Sequence, residues 1–131
     1  MVAVLYLDSS AAVKFIVDEE ESAALGAWLP DELRLTSSAL LRTEVLRAVR
    51  RQEPGQLDRA REAIAKFALH DIDADILESA GALAPNLLRS LDAIHLATAL
   101  RLADELEAIV TYDRRMIAGA RALGLPVASP S

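Results

Sequence analysis

A chain of 131 residues that is 53% hydrophobic and 26% charged has the length of one domain and the apolar content to bury a core, which argues against disorder. It has no cysteine, so disulfides, thiolate-bound zinc and thiol nucleophiles are excluded. A net charge of −6 and an aromatic content of 4% argue against a simple basic or base-stacking nucleic-acid binder, an objection that weakens if carboxylates hold divalent cations, since two such ions add about four positive charges locally.

The apolar run Val2 to Leu7, ended by Asp8, predicts a strand buried on both faces. Ser9 and Ser10 offer caps for a helix over Ala11 to Val17, and Glu20 to Leu29 reads as a second helix stopped by Pro30. Leu33 to Thr36 is a short strand. Ser37 and Ser38 then offer caps for a helix from Ala39 to Arg51, and Pro54 suits the first turn of another that runs to Phe67. Leu69 to Ile72 predicts a third strand. Asp73 opens a helix through Ala84, ended by Pro85, and Ser90 or Asp92 starts an apolar helix over Leu91 to Ala103. Ala108 to Tyr112 is a strand followed by Asp113. Arg114 to Leu123 is a helix closed by Gly124, and Pro126 to Ala128 suits an edge strand. Strands alternating with helices predict a three-layer α/β/α sandwich around a central, mostly parallel sheet, formed by residues 1–131 as a single domain. No stretch approaches the roughly 20 apolar residues of a membrane span, and the first residues lack a basic leader and a cleavage signal, so a cytoplasmic protein with no membrane partner is expected.

Ligands of such sheets bind at the carboxyl ends of the strands, where Asp8 and Asp113 are placed. Each also precedes a helix, where an N-cap role alone would account for it. Glu44 sits within a helix, where a solvated charge is the ordinary reading. Asp92 opens the apolar segment Ser90-Leu91-Asp92-Ala93-Ile94-His95-Leu96-Ala97-Thr98-Ala99, and a carboxylate on a buried helix must be paired, capped or bound to a metal. Four converging acids would repel by several kcal/mol per close pair, roughly 4 kcal/mol at 4 Å and an effective dielectric near 20. They would then rise in pKa or bind a cation. Oxygen-only ligands suit Mg²⁺ or Mn²⁺, which can activate water and hold a phosphate for in-line attack. Spacing alone leaves convergence open.

Four motifs in this order resemble the PIN domain and, within it, the VapC toxins of toxin–antitoxin pairs: Leu5-Tyr6-Leu7-Asp8-Ser9-Ser10, Arg42-Thr43-Glu44, the segment from Leu91 to Ala99, and Val110-Thr111-Tyr112-Asp113, closed by Ala122-Leu123-Gly124-Leu125-Pro126-Val127. The resemblance covers essentially the whole chain. It implies an endoribonuclease acting on a structured cellular RNA, in which Asp8, Glu44, Asp92 and Asp113 form the acidic pocket for one or two Mg²⁺ or Mn²⁺ ions. Ser9 and Thr111 match polar positions beside that pocket. Arg114, Arg115 and Met116 follow Asp113 where many relatives carry a further acid, a departure that bears on a second metal. The resemblance also implies a homodimer and a VapB-like antitoxin whose basic or apolar arm enters the pocket, and the region from Ala11 to Leu29, with the single Trp28, would contribute to dimerisation and the antitoxin groove.

By helical spacing Arg47 and Arg51 fall near the Glu44 face, where they would touch RNA phosphate or form a solvated face; Arg114 and Arg115 have similar standing. His95 reads as a packed, hydrogen-bonded residue more than as a base, and His70 as structural or exposed. Other functions fit less well. A haloacid-type phosphatase needs Asp-x-Asp, and Ser10 stands two residues after Asp8. A receiver domain needs paired acids and a late lysine. A catalytically silent PIN-like binding module, or a different metal-dependent phosphoesterase, is the remaining alternative.

Overall fold

The computed structural model describes residues 2–131. Its first strand, β1 (Ala3–Leu7), turns Leu5 and Leu7 to one face of the sheet and Tyr6 to the other, and all three are buried. An unbroken apolar run is what a strand covered on both faces requires. β2 (Leu33–Ser38), β3 (Ala68–His70), β4 (Ala108–Val110) and β5 (Val127–Ala128) complete one sheet in the order β3-β2-β1-β4-β5, with every neighbouring pair parallel. The chain steps outward from β1 to β3, then returns to lay β4 on the other side of β1. The strand order therefore reverses between β1 and β4, the place where open α/β sheets leave a crevice beyond their carboxyl ends.

Leu5, Leu7, Ala108 and Val110 pack against Ala11 of α1 (Ser9–Ala12) and Leu25 of α2 (Ser22–Trp28). Beside α1, the helices α3 (Leu40–Gln52) and α4 (Leu57–Ile64) close a cluster of Val13, Leu41, Val45, Val49 and Ile64. On the opposite face, Tyr6 and Ile109 pack against Leu96 and Ala99 of α6 (Ser90–Arg101) and Met116 and Ala120 of α7 (Arg114–Ala122). α5 (Ala74–Ala82) lies on α6 through Ile76, Ala80, Ala93 and Ala97. α6 is thus sandwiched between the sheet and α5, which explains its apolar, small-residue sequence. The expected three-layer sandwich with a parallel sheet is what forms.

Boundaries differ where side chains compete for backbone groups. Asp8, and not Ser9 or Ser10, caps α1, so the helix starts at Ser9 and gives way to a 3-10 turn over Val13–Phe15 instead of running to Val17. β2 extends to Ser38 beyond the predicted Thr36. Ser37 donates its hydroxyl to the Leu7 carbonyl at 2.6 Å, and Ser38 keeps its capping role by accepting the Leu40 N–H at 3.1 Å. Pro54–Gln56 form a 3-10 turn before α4, which ends at Ile64 and not Phe67. β3 spans Ala68–His70, not Leu69 to Ile72, because its ladder on β2 runs from Thr36 to Ser38, where β2 ends. β4 stops at Val110, short of Tyr112, whose N–H leaves the ladder for the Ser10 hydroxyl. α7 closes with Gly124 at φ +77°, a left-handed turn that suits glycine. No described helix is long and apolar enough to cross a membrane.

Candidate active site

Asp8, Glu44, Asp92 and Asp113 line one cleft of about 320 Å³, together with Ser9, Ser10, His95, Arg89 and Arg115. Its place is the carboxyl edge of the sheet at the strand-order reversal. Four elements supply the acids: Asp8 follows β1, Asp113 follows β4 by three residues, Glu44 stands on the second turn of α3 and Asp92 on the first turn of α6.

Asp8 is 4% exposed and is held from three directions. Ser10 Oγ donates to Oδ1 at 2.6 Å, the Ala11 N–H donates to Oδ1 at 3.1 Å, and Thr111 Oγ1 donates to Oδ2 at 2.5 Å. The bond from Ala11 is the N-cap of α1, so capping and site placement are two consequences of one position. Burial pushes the Asp8 carboxyl above the usual range, and the hydroxyl donors from Ser10 and Thr111 work against that rise. Asp113 repeats the arrangement: it caps α7 by accepting the Met116 N–H at 3.0 Å, and its own N–H donates to Thr111 Oγ1 at 3.2 Å. Thr111 therefore joins the ends of β1 and β4.

Asp92, on the first turn of α6, reaches back to accept the N-cap Arg89 N–H at 3.4 Å. Partial burial raises its carboxyl, the Arg89 bond opposes that, and the neighbouring Asp113 charge raises it further. Glu44 accepts from His95 Nε2 at 2.6 Å, and His95 Nδ1 lies 2.7 Å from the Tyr6 hydroxyl. Burial holds the Tyr6 phenol far above its ordinary range, so it stays protonated. His95, 2% exposed, is thus a packed, hydrogen-bonded link between the α3 and α6 sides of the sheet.

Ser9 lines the cleft, and Thr111 is bonded directly to Asp8. Arg47 and Arg51 do not line it. Both are exposed on α3, Arg51 two turns beyond Glu44, and helical spacing sets a shared face without limiting distance along the axis. His70 bonds Thr36 Oγ1 at 2.8 Å, away from the cleft. Trp28 is exposed on α2. Sequence reasoning missed Ser10, read only as a cap, and Arg89. The signal for Ser10 is its position two residues after a strand-end aspartate; for Arg89 it is the three-residue spacing to Asp92.

As placed, no three described acidic or histidine side chains stand close enough to hold one ion. The chemistry of the donor set nevertheless fits a hard divalent cation. Four carboxylates share one cleft, and among the described residues no lysine or arginine is ion-paired with any of them. Loading would require Asp92 and Asp113 to turn toward the held carboxylates of Asp8 and Glu44.

A PIN domain profile matches residues 5–122. The chain is 46% identical over 129 residues to Ribonuclease VapC46 of Mycobacterium tuberculosis, covering 98% of this chain and 99% of that protein. It is 45% identical over 130 residues to Ribonuclease VapC35 of the same species, covering 96% of each. A solved toxin–antitoxin complex from Klebsiella pneumoniae contains a chain of the same fold, with a TM-score of 0.69, 27% identity, and coverage of 97% of this chain and 98% of that one. With an acidic cleft at the strand reversal and likeness over nearly its full length, the chain belongs to the PIN-domain family, in its VapC branch.

Proposed function

We propose that this protein is a divalent-metal-dependent endoribonuclease that serves as the toxin of a type II toxin–antitoxin pair and cuts a structured cellular RNA. The observation that carries the reading is that Asp8, Glu44, Asp92 and Asp113, distant in sequence, line one cleft at the carboxyl edge of the sheet. The names of the VapC46 and VapC35 relatives support the activity, and the Klebsiella complex supports the partner class. A VapB-like antitoxin with a basic arm would be drawn to a chain of net charge −6, and assembly as a homodimer belongs to the same reading.

Asp8, Asp92, Glu44 and Asp113 would hold one or two Mg²⁺ or Mn²⁺ ions. When bound, the metal supplies an activated water and neutralises charge on the phosphate. The chain's own residues do the positioning. Ser10 and Thr111 hold the Asp8 carboxylate in one orientation, and His95 does the same for Glu44. No side-chain nucleophile is required: the Ser10 hydroxyl is bonded to Asp8 Oδ1, and His95 Nε2 is committed to Glu44.

The test is cleavage of total RNA by the purified chain, free of antitoxin, with Mg²⁺, with Mn²⁺ and with chelator. Discrete metal-dependent fragments, lost in Asp92→Asn while the circular dichroism spectrum is unchanged, are the expected result. Cleavage by Asp92→Asn at the wild-type rate would overturn the site. Metal binding with no RNA turnover would favour a silent binding module.

A further inference from the structure

The acids that line the cleft repel the substrate this reading requires, since RNA is a polyanion and the whole chain carries a net charge of −6. Apart from His95, which is committed to Glu44, the basic residues lining the cleft are Arg89 and Arg115. Both are exposed, and neither is in an ion pair among the described residues. Each is tied to one acid of the site. Arg89 precedes Asp92 by three residues at the start of α6, and its backbone N–H is bonded to the Asp92 carboxylate. Arg115 follows Asp113, the cap of α7, by two. The two arginines thus line the cleft from the starts of two different helices, and the capping bonds at Asp92 and Asp113 order the backbone beside each.

Resting on the nuclease reading, we propose that Arg89 and Arg115 are a two-armed phosphate clamp: each binds a backbone phosphate of the RNA and draws the chain over the acids between them. Guanidinium forks match phosphate oxygens in geometry and stay charged at every working pH. A clamp of this kind supplies affinity and register and carries no base specificity. It also answers how an acidic protein engages RNA before any ion has compensated its carboxylates. Arg47 and Arg51, outside the cleft, have no part in it.

Two measurements on the full chain test the clamp. The first is the KM and kcat of RNA cleavage. The second is binding of a short fluorescein-labelled single-stranded RNA of mixed sequence by anisotropy, with Ca²⁺ replacing Mg²⁺, across roughly 50 to 200 mM KCl. Arg89→Gln and Arg115→Gln each raise KM roughly tenfold with kcat nearly unchanged, as expected for loss of a charge-assisted bond. Each also flattens the slope of log affinity against log salt by about 0.7, one released counterion on a single strand. Arg89→Lys and Arg115→Lys restore the slope, which a structural role for the arginine would not predict. Arg121→Gln, at the far end of α7, changes neither quantity. If the wild-type chain cuts RNA but both glutamine variants keep its KM and salt slope, the clamp is overturned and the nuclease stands. If the wild-type chain neither binds nor cuts RNA, the nuclease reading falls and the clamp with it.

Discussion

Asp8 shows how one side chain meets two demands. Its carboxylate caps α1 and stands as a buried anion in the cleft, held by two hydroxyls and one amide. A buried acid whose folded pKa is raised favours the fold when protonated. The penalty of its charge is absent at pH below the ordinary carboxylate range and sets in as pH rises through the folded value. Asp8→Asn is therefore expected to raise the melting temperature of the metal-free protein at neutral pH, by a few degrees, while abolishing cleavage. Melting in chelator from neutral to acid pH checks this: the gap between variant and wild type should shrink as pH falls. The Tyr6–His95–Glu44 chain gives the opposite sign. Tyr6→Phe leaves the buried His95 Nδ1 without its partner, at a cost of about 1–3 kcal/mol, measurable by denaturant titration.

At the scale of elements, the helix starts supply most of the acids that line the cleft. α1, α6 and α7 open at the cleft and bring Asp8, Asp92 and Asp113 there by their capping geometry. α5 opens with Asp73, which also caps its helix and forms two bonds with Arg101 at the end of α6, at 2.9 and 3.2 Å. The Arg101 guanidinium holds the Asp73 carboxyl at about 2. A depressed acid stabilises above its unfolded value, so the contribution is present above about pH 4 and lost as pH falls toward about 2. Asp73→Asn keeps the cap and removes the charge. It is expected to melt below wild type at neutral pH, and that gap should close through the same window. α7 meets α6 at Gly119, where a Cβ would stand 2.7 Å from Leu88 Cδ2 and 2.9 Å from Leu96 Cδ1. Gly119→Val should overpack this contact and cost about 1–3 kcal/mol. Because Leu88 adjoins Arg89, the same variant is expected to weaken RNA cleavage, which assay beside a melting curve would show.

Across the whole molecule, the sheet order sets the location of the site. β1 is paired on both sides, and the reversal between it and β4 opens the crevice that four distant acids line. Leu7, fully buried directly before Asp8, anchors that strand, and Leu7→Ala is expected to lower stability by about 2–5 kcal/mol with an unchanged dependence on denaturant concentration. A metal held as proposed would act on the molecule as a ligand of the folded state. Mn²⁺ at about 100 times its dissociation constant should stabilise wild type by about 2.7 kcal/mol and leave Asp92→Asn nearly unmoved, read as the melting shift on titration.

Much of this was legible in the residues. Apolar runs such as Val4-Leu5-Tyr6-Leu7, the switch to small apolar residues in α6, and Gly124 after α7 are local signals whose period and chemistry select strand, helix and stop. The order of strands and helices determined the layers, and the ordered motifs singled out four acids that line one cleft. What the sequence did not contain was distance between parts joined only by folding. Arg51 shares a helical face with Glu44 yet lies outside the cleft, whereas Arg89, with no helical relation to Glu44, lines it. Thr111 reaches Asp8 across 103 positions, and His95 reaches Glu44 across 51. Such contacts depend on strand order, register and helix packing, which are properties of the whole chain, so only the tertiary structure decided them.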